Sequence, residues 1–226
     1  MIGAPETHED ICRSLANRVG AVVISPDYRL APAHPFPAAL SDCAAALRHI
    51  VAQSQSLGID PTRIVVGGDS AGGNLAAVLA LLARDGEVPS VLAQLLIYPV
   101  TDQRQTSNSY HRYAEGFGLT SKAMAWFRDH YAAAATDWRA SPLLAAALQG
   151  VAPAFVVLAG HDVLYDEGAA YAARLATETK ASLQVWPGRI QGFVSMGRVI
   201  PQADEALTAI ATAWRDLDPG FNRPPA

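Results

Sequence analysis

The stretch Gly67-Gly68-Asp69-Ser70-Ala71-Gly72-Gly73 decides the fold of this chain. Apolar β-branched residues precede it at positions 64–66, and an alanine- and leucine-rich stretch with helical period follows at 74–84. A G-x-S-x-G pentapeptide between a strand and a helix is typical of a sharp, strained turn that exposes a serine hydroxyl. The other interpretation is a glycine-rich phosphate-binding turn, but neither the P-loop lysine nor dinucleotide-binding spacing is present. The pattern therefore predicts that Ser70 is a nucleophile.

Outward from this turn, short apolar runs alternate with stretches of helical period. The pattern predicts strands at residues 21–25, 63–67, 91–98, 154–160 and 182–187. It predicts a helix ending at Gly20 and further helices over about 37–53, 74–84, 167–177 and 203–216. This alternation indicates the α/β class, with a mainly parallel sheet covered by helices on both faces. We expect a single domain over residues 1–226.

Residues 101–150 interrupt the alternation with polar and aromatic residues and short predicted helices over 121–131 and 142–148. We interpret this segment as a small helical cap inserted into the domain. Residues 218–226 contain prolines and are predicted to be a frayed tail.

Composition excludes several classes of partner and site. The chain has 17 Lys and Arg against 21 Asp and Glu, so its net charge of -4 gives no field for nucleic acid or an anionic membrane. Two cysteines, Cys12 and Cys43, are too few for a disulfide scaffold or for a zinc or iron–sulfur site. No leader pattern or bilayer-length apolar run is present, so we expect a cytoplasmic protein.

A serine nucleophile needs a base that a carboxylate orients. Asp162 follows the predicted strand 154–160, so its carboxylate should lie at the carboxyl edge of the sheet near Ser70. Asp166 is one helical turn further along and is the weaker candidate, since it is better placed to cap the next helix. The sequence therefore predicts Asp162 as the acid.

Several motifs, in order, resemble the bacterial hormone-sensitive-lipase-like esterases of the α/β-hydrolase superfamily. They are Asp27-Tyr28-Arg29-Leu30-Ala31-Pro32, His34-Pro35-Phe36-Pro37, Gly67 to Ala76, Leu96-Ile97-Tyr98-Pro99, Ser141-Pro142-Leu143 and Gly160 to Gly168. The resemblance implies hydrolysis of short-chain carboxylic esters through an acyl-serine intermediate. It also implies a small-molecule ester as partner, no cofactor and a cap over the acyl pocket.

The chain departs from the family at the position of the catalytic histidine. Members carry Gly-x-x-His-Gly-Phe, whereas this chain has Gly188-Arg189-Ile190-Gln191-Gly192-Phe193. A glutamine amide cannot accept the serine proton and return it to the leaving alcohol, so we expect low or absent turnover. His161 adjoins Asp162 but is expected to point elsewhere and to be a loop residue.

A second departure concerns the oxyanion loop. The family's His-Gly-Gly-Gly stretch has no counterpart, since residues 1–3 correspond to positions just after it, and the amino-terminal strands are missing as well. The Ala71 backbone N–H is then the remaining oxyanion donor. Without the strand that bears this loop, either residues 21–25 pair directly with residues 63–67, or an open edge invites association into a homo-oligomer.

Three hypotheses follow. The first is a serine carboxylesterase with Ser70 as nucleophile, Asp162 as acid and Gln191 in the histidine position. The second is a binding protein that uses the acyl pocket without chemistry, as the plant gibberellin receptors of the same family do. The third is a truncated product of a longer esterase.

Overall fold

Strands and helices alternate along the chain in the computed structural model, which describes residues 1–217. The helices are α1 (Pro5–Val19), α2 (Ala38–Ala52), α3 (Ser54–Leu57), α4 (Ala71–Arg84), α5 (Ser109–Arg112), α6 (Ser121–Tyr131), α7 (Tyr165–Glu178) and α8 (Pro201–Leu217). The strands are β1 (Val65–Asp69), β2 (Ala93–Ile97), β3 (Ala154–His161) and β4 (Ala181–Ile190). Single 3-10 turns cover Pro142–Leu144 and Phe193–Ser195. The tail predicted over residues 218–226 lies outside the described residues.

The strands form one parallel sheet in the order β1-β2-β3-β4. Alternate residues of β3 face opposite sides of this sheet. Val156 and Leu158 pack in one apolar cluster with α4 and α7, whereas Phe155 and Val157 pack in another with α1 and α8. Helices therefore cover both faces, as the sequence predicts, and all four carboxyl ends lie at one edge.

The prediction of a strand over residues 21–25 is wrong. Residues 21–30 adopt neither helix nor strand, and Val22 and Ile24 are 65% and 44% exposed. An extended segment becomes a strand only when a neighbour accepts and donates its backbone hydrogen bonds, and no strand among residues 1–217 pairs with it. The outer edge of β1 is consequently open, which is the second of the two outcomes expected from the sequence.

The helix predicted over residues 142–148 is also wrong, because only a 3-10 turn forms at its start. Side chains of α7 bind the backbone groups that a helix would use. Arg174 donates to the Leu143 and Ala145 carbonyl oxygens at 2.8 and 2.9 Å, and the Leu148 N–H donates to Glu178 at 2.6 Å. The segment is held in an irregular path by tertiary hydrogen bonds.

The remaining predicted elements occur close to their expected positions, with the largest differences at the start of α4 and the end of β4. Residues 101–150 contain α5, α6 and one 3-10 turn. Their apolar side chains Tyr110 and Met124 pack against Val163 and Leu164 beyond β3. The interpretation of this segment as a cap stays a prediction. No helix within residues 1–217 combines the length and the apolar character that a membrane span requires.

Candidate active site

Ser70 lies in the turn that joins β1 to α4. Its backbone has φ 54° and ψ -115°, a conformation that residues with a side chain rarely adopt. A Cβ atom at Gly68 would lie 2.4 Å from the carbonyl carbon of Gly72. The first and last glycines of the pentapeptide are therefore in backbone contact, and only glycine at position 68 permits a turn this tight.

Hydrogen bonds hold the Ser70 backbone in this conformation. Its N–H donates to the Ile97 carbonyl at 2.9 Å, and its carbonyl accepts from the N–H groups of Asn74 and Val100, both at 3.1 Å. The buried Asn74 amide donates to the carbonyls of Val100 and Ala140 at 2.8 and 2.9 Å. These hydrogen bonds fix the turn to the end of β2 and to the segment beyond it, and they offset the cost of the strained Ser70 backbone.

Ala71 is the first residue of α4. The first N–H groups of a helix have no partner within the helix and lie at the positive end of its dipole. The Ala71 N–H thus lies at the N-terminus of α4 directly after Ser70, and its role as an oxyanion donor stays a prediction.

Asp162 follows β3 and is 2% exposed. Its Oδ1 atom accepts a hydrogen bond from the Leu164 N–H at 3.0 Å, whereas Oδ2 is buried and has no partner among the described residues. Burial raises the pKa of this carboxyl to about 7, against the smaller opposing effect of the Leu164 N–H. Asp162 is thus a buried acid without the imidazole that such a carboxylate would orient.

Gln191 follows β4 directly. His161 and Ile190 are register partners on β3 and β4, so Asp162 and Gln191, the next residue of each strand, lie at neighbouring strand ends. Both the Nε2 and Oε1 atoms of Gln191 are buried without a hydrogen-bond partner among residues 1–217. The structure thus brings Asp162 and Gln191 to one place on the carboxyl edge, and Ser70 lies on the same edge at the end of β1.

The weaker candidates are engaged elsewhere. Asp166 accepts a hydrogen bond from the Ser109 N–H at 2.7 Å and pairs with Arg112 at 2.9 Å. It lies inside the first turn of α7 and does not cap it. The His161 ring packs against the rings of Tyr113 and Phe117, with centroids 5.3 and 5.2 Å apart. Asp162 is therefore the acid that the structure leaves available.

Sequence reasoning missed an ion pair beside the nucleophile turn. The His8 Nε2 atom of α1 lies 3.3 Å from Asp69 Oδ1, and its Nδ1 atom lies 2.8 Å from Thr7 Oγ1. The Thr7 hydroxyl donates to the Ala4 carbonyl at 2.7 Å, which leaves Nδ1 of His8 to donate to Thr7 and Nε2 to donate to Asp69, a pattern that favours the imidazolium. The hydrogen bond to Asp69 raises the pKa of His8, and the pair anchors α1 to the end of β1.

A second buried carboxyl was also missed. Glu167 is 2% exposed, and its Oε1 atom accepts from the N–H groups of Thr101 and Asp102 at 2.7 and 3.1 Å. Burial raises its pKa to about 8. Its place in Asp166-Glu167-Gly168 signals only an acidic helix start, so nothing in the sequence marks it as buried. Glu167 joins α7 to the segment that follows β2.

Within residues 1–217, no three His, Cys, Asp or Glu side chains are grouped so that they could hold a metal ion. The carboxyl edge of the sheet offers a serine hydroxyl and a helix N-terminus at the end of β1 and a buried carboxyl at the end of β3. These are the groups of acyl transfer through a serine ester.

Comparisons with known proteins agree with this geometry. A family profile described as the alpha/beta hydrolase fold matches residues 1–195. Ethyl acetate hydrolase of Pseudomonas putida is 40% identical over 218 residues, which are 94% of this chain and 69% of that protein. Carboxylesterase NlhH of Mycobacterium tuberculosis is 40% identical over 212 residues, 91% of this chain and 66% of that protein. The chain thus spans about two thirds of the length of these relatives.

Solved structures give the same result. The hyperthermophilic esterase from the archaeon Pyrobaculum calidifontis superposes with a TM-score of 0.91 at 41% identity, covering 96% of this chain and 73% of that one. The carboxylesterase EstE1, cloned from a metagenomic library, gives 0.92 at 41% identity over 96% of this chain and 76% of that one. The chain therefore belongs to the α/β-hydrolase fold family and, within it, to the hormone-sensitive-lipase-like carboxylesterases.

Proposed function

We propose that this chain is a serine hydrolase of the carboxylesterase type that acts on short-chain carboxylic esters. The observation that carries the proposal is the strained Ser70 backbone at the strand–helix turn, with the N-terminus of α4 directly after it. That conformation is costly, and it places a hydroxyl beside an N–H donor. The names of the relatives support the same reaction class.

The residues have the following proposed roles. Ser70 Oγ attacks the ester carbonyl carbon, and the Ala71 N–H stabilises the resulting oxyanion. Collapse of this intermediate expels the alcohol and leaves an acyl-serine, which water hydrolyses to regenerate Ser70. Asp162 is the acid of the triad, and Gln191 occupies the position of the base.

We propose that turnover by these residues is low or absent. The Gln191 amide has no useful basicity near neutral pH, so the serine proton has no acceptor in the usual position. Loss of one member of a catalytic triad costs as much as ~10⁶ in rate. Each oxyanion donor, such as the one proposed for the Ala71 N–H, contributes about 10²–10³ in rate.

The test is hydrolysis of p-nitrophenyl butyrate by the wild-type chain, Ser70→Ala and Gln191→His, with ethyl acetate hydrolase of Pseudomonas putida assayed beside them. We expect slow wild-type turnover that Ser70→Ala abolishes, and only partial recovery in Gln191→His. Equal rates in wild type and Ser70→Ala, with no acyl adduct on the wild-type chain by intact mass, would contradict the proposal. Recovery of Gln191→His to the rate of the relative would contradict the role given to the oxyanion donors.

A second candidate function is small-molecule binding without chemistry. The observation that favours it is Gln191, whose buried amide offers a donor and an acceptor where the family has a base. Saturable binding of p-nitrophenyl butyrate by calorimetry, with no release of p-nitrophenol and the same affinity in Ser70→Ala, would favour binding over catalysis.

We also propose a cytoplasmic location and a small-molecule partner rather than nucleic acid or a membrane. The unpaired thiols of Cys12 and Cys43 support the first, and the excess of 21 acidic over 17 basic residues supports the second. The open outer edge of β1 supports self-association as a homo-oligomer. A monomeric mass by light scattering at micromolar concentration would contradict that last proposal.

A further inference from the structure

Asp69 is the residue directly before the nucleophile, and its carboxylate is paired with a histidine of α1. The His8 Nε2 atom lies 3.3 Å from Asp69 Oδ1. The Thr7 hydroxyl holds the other ring nitrogen, with His8 Nδ1 and Thr7 Oγ1 2.8 Å apart. Both ring nitrogens of His8 therefore have partners, and these contacts fix the orientation of the ring towards Asp69.

The packing of α1 sets the position of this ring. Ile11 is buried in the apolar cluster that contains Ile97 of β2, and His8 lies three residues earlier, on the same face of the helix. The Thr7 hydroxyl donates to the Ala4 carbonyl and accepts from the Ala4 N–H, at 2.7 and 3.1 Å. The partner of Asp69 is therefore held by a packed helix with an ordered first turn.

The charge of Asp69 opposes the chemistry proposed for Ser70. Negative charge develops beside Ser70 when its oxygen attacks, and a carboxylate one residue earlier repels that charge. Ser70 is also the N-cap residue of α4. The Asp69 carboxylate thus competes with the developing oxyanion for the positive end of the helix dipole. A positive charge next to Asp69 removes both effects.

We propose that His8 is a positioning residue of the reaction, whose imidazolium neutralises Asp69 and thereby raises the reactivity of Ser70. The inference rests on the proposed function, since it assigns a role to His8 in the attack by Ser70. It goes beyond the anchoring of α1, because an anchor needs only the contact, whereas this role needs the positive charge. A variant that keeps the contact and removes the charge separates the two.

Three other titratable groups interact with the Asp69 carboxylate, and none of them supplies a positive charge. They are Cys12 of α1, Tyr28 and Tyr98 at the end of β2, and burial together with Asp69 raises the pKa of each. The three groups therefore stay neutral at pH 7. Tyr98 also interacts with Asp162, whose titration near pH 7 is common to all variants of His8 and Asp69. Comparing such variants at one pH thus isolates the charge of the imidazolium.

The experiment is the rate at which a p-nitrophenyl alkylphosphonate labels Ser70, followed by intact mass on the full chain at pH 6. His8→Gln keeps a hydrogen-bond donor for Asp69 and removes the charge. We expect it to react slower than wild type by roughly tenfold, the effect of one unit charge in a partly exposed site. Adding Asp69→Asn to His8→Gln removes the carboxylate that needs neutralising, so the double variant should regain the wild-type rate.

The pH dependence is a second readout. The hydrogen bond to Asp69 raises the pKa of His8, so the ring is protonated at pH 5.5 and loses its proton at higher pH. Wild type should exceed His8→Gln most at pH 5.5, and the two rates should approach each other at pH 8.5. Arg13→Gln is the matched control, because it removes a positive charge from the same helix at an exposed pair with Glu9; it should react as fast as wild type.

Two results would overturn the inference alone. One is labelling of wild type and His8→Gln at equal rates at pH 5.5. The other is a double variant as slow as His8→Gln, which is the result that a purely structural anchor gives. Urea unfolding of each variant shows that the chains compared are folded. Absence of an adduct on every protein would instead refute the proposed function, and this inference with it.

Discussion

The two glycines of the pentapeptide should respond oppositely to alanine. A Cβ at Gly68 would lie 2.4 Å from the carbonyl carbon and 2.6 Å from the carbonyl oxygen of Gly72. Both contacts are to backbone, so no side chain can rotate away and the turn itself must open. A Cβ at Gly72 meets no atom within 4 Å outside its own helix.

These contacts give the magnitudes. Overpacking typically costs 1–3 kcal/mol where side chains can adjust, so we expect Gly68→Ala to lower the free energy of unfolding by about 3 kcal/mol or more. Gly72 is in the first turn of α4, where alanine is favoured over glycine by roughly 0.5–1 kcal/mol. Gly72→Ala should therefore be neutral or slightly stabilising.

The assay is urea unfolding at pH 7 followed by tryptophan fluorescence and circular dichroism, with thermal scans beside it. For a chain of this size about 3 kcal/mol corresponds to a melting temperature lower by roughly 6–12 °C. A Gly68→Ala variant as stable as wild type would refute the backbone contact. So would a Gly72→Ala variant that loses as much stability as Gly68→Ala.

Three further predictions concern stability. His8→Gln should cost no more than about 1 kcal/mol, because the side chain is 38% exposed. Because folding raises the pKa of His8, the protonated ring stabilises the folded chain below the unfolded pKa of 6.5, and this stabilisation is lost as pH rises through the folded pKa. The cost of His8→Gln should therefore be larger at pH 5.5 than at pH 8.5. An equal cost at both pH values would refute the imidazolium at His8. Folding raises the pKa of Glu167 from 4.5 to about 8, so between these pH values the folded chain holds a proton that the unfolded chain releases. The free energy of unfolding should therefore fall as pH rises across this window, and Glu167→Gln should flatten the fall in urea titrations. An unchanged slope would count against its burial as an acid. Arg174→Met removes two hydrogen bonds to backbone carbonyls and should lower the free energy of unfolding by about 2 kcal/mol. Arg13→Met removes only an exposed ion pair with Glu9 and should lower it by less than about 0.5 kcal/mol. Similar losses in the two variants would refute the stabilising role of the Arg174 hydrogen bonds.

Local sequence patterns predicted the sheet because each of the strands β1 to β4 pairs with the next strand in chain order. The strand–turn–helix step at Ser70 was predictable because small residues and strand and helix periods coincide within a few positions. The segment 21–25 has the same strand-like residues, yet it forms no strand. Strand formation depends on a partner, and a partner is a property of the whole sheet that local pattern does not contain.

The site was predictable in its residues and not in its electrostatics. Order along the chain brought Ser70, Asp162 and Gln191 to one edge, since parallel strands share their carboxyl ends. The pair of His8 and Asp69 joins residues far apart in sequence, and no spacing rule links them. The burial of Glu167 depends on the backbone N–H groups of a segment whose path no local pattern specifies.

The measurement that tests the central claim most directly is intact-mass analysis after prolonged incubation with a p-nitrophenyl alkylphosphonate, which reports attack by a serine without requiring turnover. We predict one phosphonyl adduct per chain on wild type, located at Ser70 by peptide mapping, and none on Ser70→Ala. No adduct on either protein, or an equal adduct on both, would contradict the assignment of Ser70 as a nucleophile.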